Sequence, residues 1–426
     1  MRPLLTILCT LQISTVFLFA QTETEPPPAA TTGDYEELPP LRATEILQPA
    51  ILEGPHHKIR DEVTPSSGAN HFMIDSDYGA FEADGNEMLV RRVEEINAIA
   101  KLKEVSRTEE FKNALVKAAK SPLASAKAIV TDPVRAISNV PKGISKFMGR
   151  VGSSVKNIGK KEEGQVPDGS QAKQMIGYSD AKRKEAIKLG VDPYSTNPIL
   201  QKELDEIAWA SFAGGAAFTV ATLPIGGAAG AALTVTNVSS EFDQMLTEKT
   251  PADLKAINRK TLIGMGASDK EADSFLRNNA FSPSAQTAFV LNLKSMSGVA
   301  NRRAFVRLAG EISSSEADAI FCVQTASLLG KLHNGGTPLA RIETLGDFPI
   351  AIAKDGSTVV ALQWDYAAWT VSAAEFANAI QNFAAQPPRN KKVFVALSGE
   401  ASLRLRQELE AMGQELRDRV APGPLR

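Results

Sequence analysis

IAWASFAGGAAFTVATLPIGGAAGAALTVTNVSS, residues 207–240, runs 34 positions without a charge between Glu206 and Glu241. Ten alanines and five glycines fill much of it, and side chains that small let neighbouring backbones approach closely. Pro224 interrupts the run near its centre. We therefore expect two apolar helical segments folded back on one another, with Gly226 and Gly230 at their contact. The first segment begins upstream, where Asn197 supplies a cap and Pro198 the first helical position. Leu200, Leu204, Ile207 and Ser211 then share one face. A helix that turns apolar all round is normally a buried one. The expected fold class is mainly α: a helical bundle around an Ala/Gly-rich buried hairpin, with a small C-terminal α+β domain and a disordered N-terminal leader.

Two other readings of the stretch compete. Small residues four apart are also the packing signal of helices in lipid, so a membrane-active protein that inserts residues 207–240 is the alternative. Each arm reaches only about 24 Å, against a hydrocarbon core of about 30 Å. A nucleotide-binding loop at Gly226–Gly230 fails for want of the full G-x-G-x-x-G pattern and an acidic residue about 20 positions on.

Outward from the hairpin, charge is strongly segregated. From Gln21 to Gly85, thirteen acids face three bases, a net of −10; from Lys101 to Lys161, fourteen bases face four acids, a net of +10. Residues 1–20, MRPLLTILCTLQISTVFLFA, have one charge at Arg2 followed by an apolar run and end in Leu-Phe-Ala, as a cleaved signal peptide does. The expected localisation is secreted or periplasmic, with cleavage between Ala20 and Gln21. Cys322 alone would then remain, on the helical stripe of Phe321, Thr325, Leu328 and Leu332, where burial is the expected fate of a lone thiol.

The expected organisation continues with residues 21–70 as an acidic, Pro-rich leader without periodicity. Residues 71–161 form a short hairpin and then basic amphipathic helices. A linker occupies 162–170, the α-helical bundle 171–336 and the α+β domain 337–426. Helix starts are marked by Thr250-Pro251, Ser268 with Glu271, and Ser282-Pro283. Lys354-Asp355-Gly356-Ser357 marks a hairpin between two β-rich runs.

Catalytic and metal-binding motifs are missing from the sequence. There is no H-E-x-x-H, paired C-x-x-C, EF-hand loop, P-loop or G-x-S-x-G. His56, His57 and His71 lie in or beside the leader, and His333 at a helix end. S-x-x-K at Ser153–Lys156 and Ser179–Lys182 lacks the accompanying K-T-G. Catalytic residues, cofactors and metals are all expected to be none, and acid–base catalysis by a carboxylate pair, for instance Asp365 with Glu375, has no spacing to single it out. In Leu397–Ser402, LSGEAS, amides and two hydroxyls meet at a helix start. An anion would fit there, and a capping serine explains the pattern equally well.

The basic segment carries the functional expectation. Lys112, Lys117, Lys120, Lys127, Arg135, Lys142, Lys146, Arg150 and Lys156 accompany an interrupted apolar stripe. Basic amphipathic helices bind anionic membrane surfaces. Nucleic acid is disfavoured for an exported chain without interleaved aromatic residues. The expected function is a secreted or periplasmic, non-enzymatic structural or interaction protein whose basic helices contact an anionic membrane or envelope surface. A protein partner and a motif-free, hydrolase-like C-terminal domain are the further alternatives.

Overall fold

The computed structural model describes residues 35–66, 68–121, 169–215, 218 and 239–426. It is about 53 % helical and 19 % strand, with three sheets among the described residues, one of them a half-barrel. That overturns the expectation of a mainly helical bundle. Most of the Ala/Gly hairpin, including Gly226, Gly230 and Pro224, lies outside the described residues, as do residues 21–34 of the leader and the 162–168 part of the linker.

The leader is the largest correction. From Leu41 it is a folded, sheet-rich region: strands β1 (Leu41–Arg42), β2 (Glu53–Gly54), β3 (His57–Ile59), β4 (Glu62–Ser66), β5 (Ala69–Ser76) and β6 (Gly79–Asp84), with one-turn helices α1 (Ala43–Ile46) and α2 (Pro49–Leu52) between the first two. The sheet runs β1-β4-β5-β3-β2, with β6 also paired to β5. The longer strands turn one or two apolar side chains inward: Ile59 from β3, Val63 from β4, Phe72 and Ile74 from β5. Acids and bases point out and pair across strands, as Lys58 of β3 does with Glu53 of β2 at 3.1 Å. Strands of two to eight residues give too little alternation to be read against that charge.

The helices follow where local chemistry starts them. α3 spans Asn86–Ser106 and α4 Glu109–Lys120, the latter capped by Thr108, which accepts from Phe111 N. α5 is Gly169–Lys188, and α6 is Pro198–Gly214. Asn197 caps α6 through Ile199 N and Leu200 N, and Gly215 ends it in the left-handed region at φ 67°. Then come α7 (Ser239–Glu248), α8 (Pro251–Gly264), α9 (Asp269–Leu276), α10 (Pro283–Ser295), α11 (Arg303–Ile312) and α12 (Glu316–Asn334). Capping boxes at Thr250/Asp253 and Ser268/Glu271 begin α8 and α9, and Ser282 caps α10. The sequence marks all three starts.

The last sheet contains β7 (Leu339–Leu345), β8 (Phe348–Ala353), β9 (Thr358–Leu362), β11 (Val393–Leu397) and β13 (Gln414–Arg417), ordered β13-β11-β9-β8-β7. β10 (Tyr366–Ala367) pairs in parallel with β12 (Glu400–Ala401). Helices α13 (Val371–Ala385) and α14 (Leu403–Ala411) complete the chain. Both faces of this sheet are apolar. Leu339, Ile342, Ala351, Val359 and Ala361 belong to the main core, with the helical body and the N-terminal sheet. Their neighbours Ile350, Val360, Leu362, Val395 and Leu397 belong to a second core under α13 and α14. A sheet covered on both faces loses the polar half of the period-2 pattern.

Among the described residues, the main core takes none of its members from the 207–240 stretch. Its centre is aromatic: Phe289 lies with its ring centroid 5.0 Å from those of both Phe275 and Phe305. Leu47, Ile59, Phe72 and Leu89 reach the same cluster from the N-terminal region. The described part of the small-residue stretch packs elsewhere. Leu200, Leu204 and Ile207 meet Phe111 and Ala114 in a separate cluster. Gly214 lies so close to α4 that a Cβ there would come within 2.4 Å of the Ala114 carbonyl oxygen.

Candidate functional site

Helix α4 carries the described candidate lysines of the basic segment. Phe111, Ala114 and Ala118 point inward, and α6 closes over them. Lys112, Lys117 and Lys120 are exposed on the opposite side, with Val116 at 53 % exposure between them. Lys112 is 2.6 Å from Glu109 one turn earlier. Lys127, Arg135, Lys142, Lys146, Arg150 and Lys156 lie outside the described residues. The acids at the helix start and lysines at its end also suit the helix dipole.

The LSGEAS loop holds both features that its sequence suggested. Ser402 caps α14 by accepting from Leu405 N at 3.0 Å, and Ser398 donates to Trp364 O at 2.8 Å. An anion is present as well, and it comes from this chain. The Glu36 carboxylate accepts from Ser402 Oγ at 2.5 Å and from Trp369 N at 2.6 Å. Glu36 N in turn donates to Trp369 O at 2.8 Å. Nothing in the local sequence of residues 397–402 points to a partner more than 350 positions away.

Asp365 is a junction. Its buried carboxylate accepts from Asn70 N at 2.8 Å and Asn86 N at 2.9 Å. The second of these is the first amide of α3, whose preceding residue, Gly85, has no side chain to cap it. Burial pushes the Asp365 carboxyl up to about 7, against the pull of the two amides. Glu87, a residue further along α3, is also pushed up to about 7, by burial and then by Asp365. Glu94, two turns on, rises to about 8 through burial and the charges of Glu95 and Glu87. Groups shifted this far often mark functional sites. Here the geometry assigns Asp365 a structural duty, and among the described residues its hydrogen bonds come from the Asn70 and Asn86 amides rather than from Glu375.

A second buried polar centre joins α3 to the turn before α6. Arg91 reaches Asp192 at 2.9 Å, Glu95 at 3.4 Å and Glu316 at 3.4 Å. Glu95 also accepts from Asn197 Nδ2 at 2.9 Å and from Ser195. Burial opposes the charge on Arg91, yet Asp192, Glu316 and Glu95 raise its pKa and keep it a cation. Every charge is met by an opposite one, the condition under which buried ions persist.

The remaining reactive side chains are engaged. Cys322 is fully buried and burial pushes its thiol up to about 12. His57 is buried and bonds Ile51 O at 2.9 Å, while His56 and His71 pair with Asp77 and Asp84. Lys182 of the second S-x-x-K lies 2.6 Å from Asp205; the first lies outside the described residues. No known protein family, curated protein or solved structure matches this chain.

Proposed function

We propose that this is an exported, non-enzymatic interaction protein that lays its basic segment on an anionic membrane or envelope surface. The observation that carries the reading is the two-sided build of α4. Its apolar side is held by α6, and Lys112, Lys117 and Lys120 face solvent together. Each basic residue near an anionic lipid surface contributes about 1 kcal/mol, and the term fades within a Debye length. The segregated charge supports the same reading, since residues 101–161 carry a net of +10. The folded sheet and helical body serve as the rigid mount.

Co-sedimentation with vesicles of anionic and of neutral lipid tests it. Binding is expected to anionic vesicles only, and to be lost above about 0.5 M salt. Reversal of three charges, K112E/K117E/K120E, is expected to weaken binding at least tenfold. Equal sedimentation with neutral vesicles would replace this reading by hydrophobic insertion. Export is checked separately: the mature chain should begin at Gln21.

A further inference from the structure

We propose that the cleft between the N-termini of α13 and α14 is a receptor for an acidic peptide carrying an aromatic residue just before its carboxylate. The chain's own Tyr35-Glu36 closes it in cis.

The site is built, not merely a pair of helix ends. Its wall includes Ser402 at 8 % exposure and Trp369 at 7 %. Ser402 has one proton and one task for it: the hydroxyl accepts the capping bond from Leu405 N and donates to Glu36. Trp369 presents both backbone groups to the same residue, its N–H to the carboxylate and its carbonyl to Glu36 N. One residue is thus read through main chain and side chain together, as an added strand is read at a sheet edge. α13, capped by Thr370, and α14, capped by Ser402, both turn their positive ends this way. Tyr35 packs its ring against the second core. Ala367, Ala373 and Leu405, which flank the polar contacts in sequence, also line a cavity of about 30 Å³ in that core. The pattern read is therefore aromatic then acid.

The bonds described for the strap are ones that an incoming peptide can replace. Glu37, Pro39 and Pro40, between it and β1, are exposed. Among the described residues, its polar hold on the C-terminal region includes the three bonds made by Glu36. An incoming peptide would repeat those bonds, so exchange leaves no polar group unpaired.

The probe is a fluorescein-labelled peptide of residues 31–40, TTGDYEELPP, and the readout is fluorescence anisotropy with the full-length chain. Y35A/E36A is expected to bind it at least tenfold more tightly than wild type. The same peptide with glutamine for the glutamate is expected to lose that gain. Adding S402D keeps an acceptor to cap α14 but sets a negative charge against the carboxylate, and should abolish binding. Should the double variant fold poorly by circular dichroism, E36Q opens the polar contact with the least change of shape and is read the same way. Binding by the opened variant no tighter than by wild type, or equal binding of the glutamine peptide, would overturn the proposal.

Discussion

Asp365 shows how much one carboxyl can hold and what it costs. Its folded pKa of about 7 lies above the ordinary carboxyl value, as do those of Glu87 at about 7 and Glu94 at about 8. The folded chain therefore holds protons that the unfolded chain has released. The stabilisation linked to these groups is complete below about pH 4 and is lost as pH rises through 7 and 8. Urea unfolding should give a midpoint that falls between pH 5 and pH 8. For Asp365 alone three pKa units cap the loss at about 4 kcal/mol. D365N should reduce that dependence to the share of Glu87 and Glu94, since its amide oxygen still accepts from Asn70 and Asn86 without carrying a charge. D365A strands both amides and is expected to cost about 2–4 kcal/mol at pH 5. A midpoint that rises with pH in the wild type would refute this account.

Among elements, α4 depends on the closeness of α6. A methyl group on Gly214 would press on the Ala114 carbonyl, part of the α4 backbone that has no rotamer to yield. G214A is therefore expected to destabilise by about 2–3 kcal/mol and to tilt α4 away. If α4 is the mount of the lysines, the same variant weakens binding to anionic vesicles while its lysines remain. Gly399 presents the same problem in the C-terminal region, where a Cβ would lie 2.0 Å from the Asp365 carbonyl oxygen. G399A should lower the thermal midpoint more than an alanine at exposed Glu400. Gly214 and Gly399 mark close backbone approach, whereas the approach expected at Gly226 and Gly230 lies outside the described residues. Sequence cannot name the partner backbone, and for Gly214 that partner is α4.

For the whole molecule, the decisive feature is a sheet with two apolar faces. β7, β8 and β9 supply the helical body with Leu339, Ile342, Ala351 and Val359, each fully buried. A chain ended at Gly336 would bare this part of the core, so it should expose apolar surface, bind a hydrophobic dye and fail to unfold cooperatively. A truncated chain that melts as sharply as the full one would show that the two cores are separable. The C-terminus is tied to the N-terminal sheet region: Leu47 bridges Leu425, and Arg426 N donates to Ile46 O. A bundle read from helix signals alone misses this, because the contacts that complete it come from residues 41–84 and from the C-terminal sheet.

What the sequence determined by itself is local: the helix starts at Asn197, Thr250, Ser268 and Ser282, the Lys354–Ser357 turn, the burial of Cys322 beside its apolar stripe, and the outward lysines of α4. Each depends on residues within a turn or two, where side chains and backbone amides meet whatever the rest does. The tertiary structure alone decided that the acidic leader is folded from Leu41. It also decided that Glu36 fills the anion site at Ser402, that Asp365 caps α3 and that the core gathers around Phe289. Those contacts join residues tens to hundreds of positions apart, and their energy exists only once the chain has brought them together.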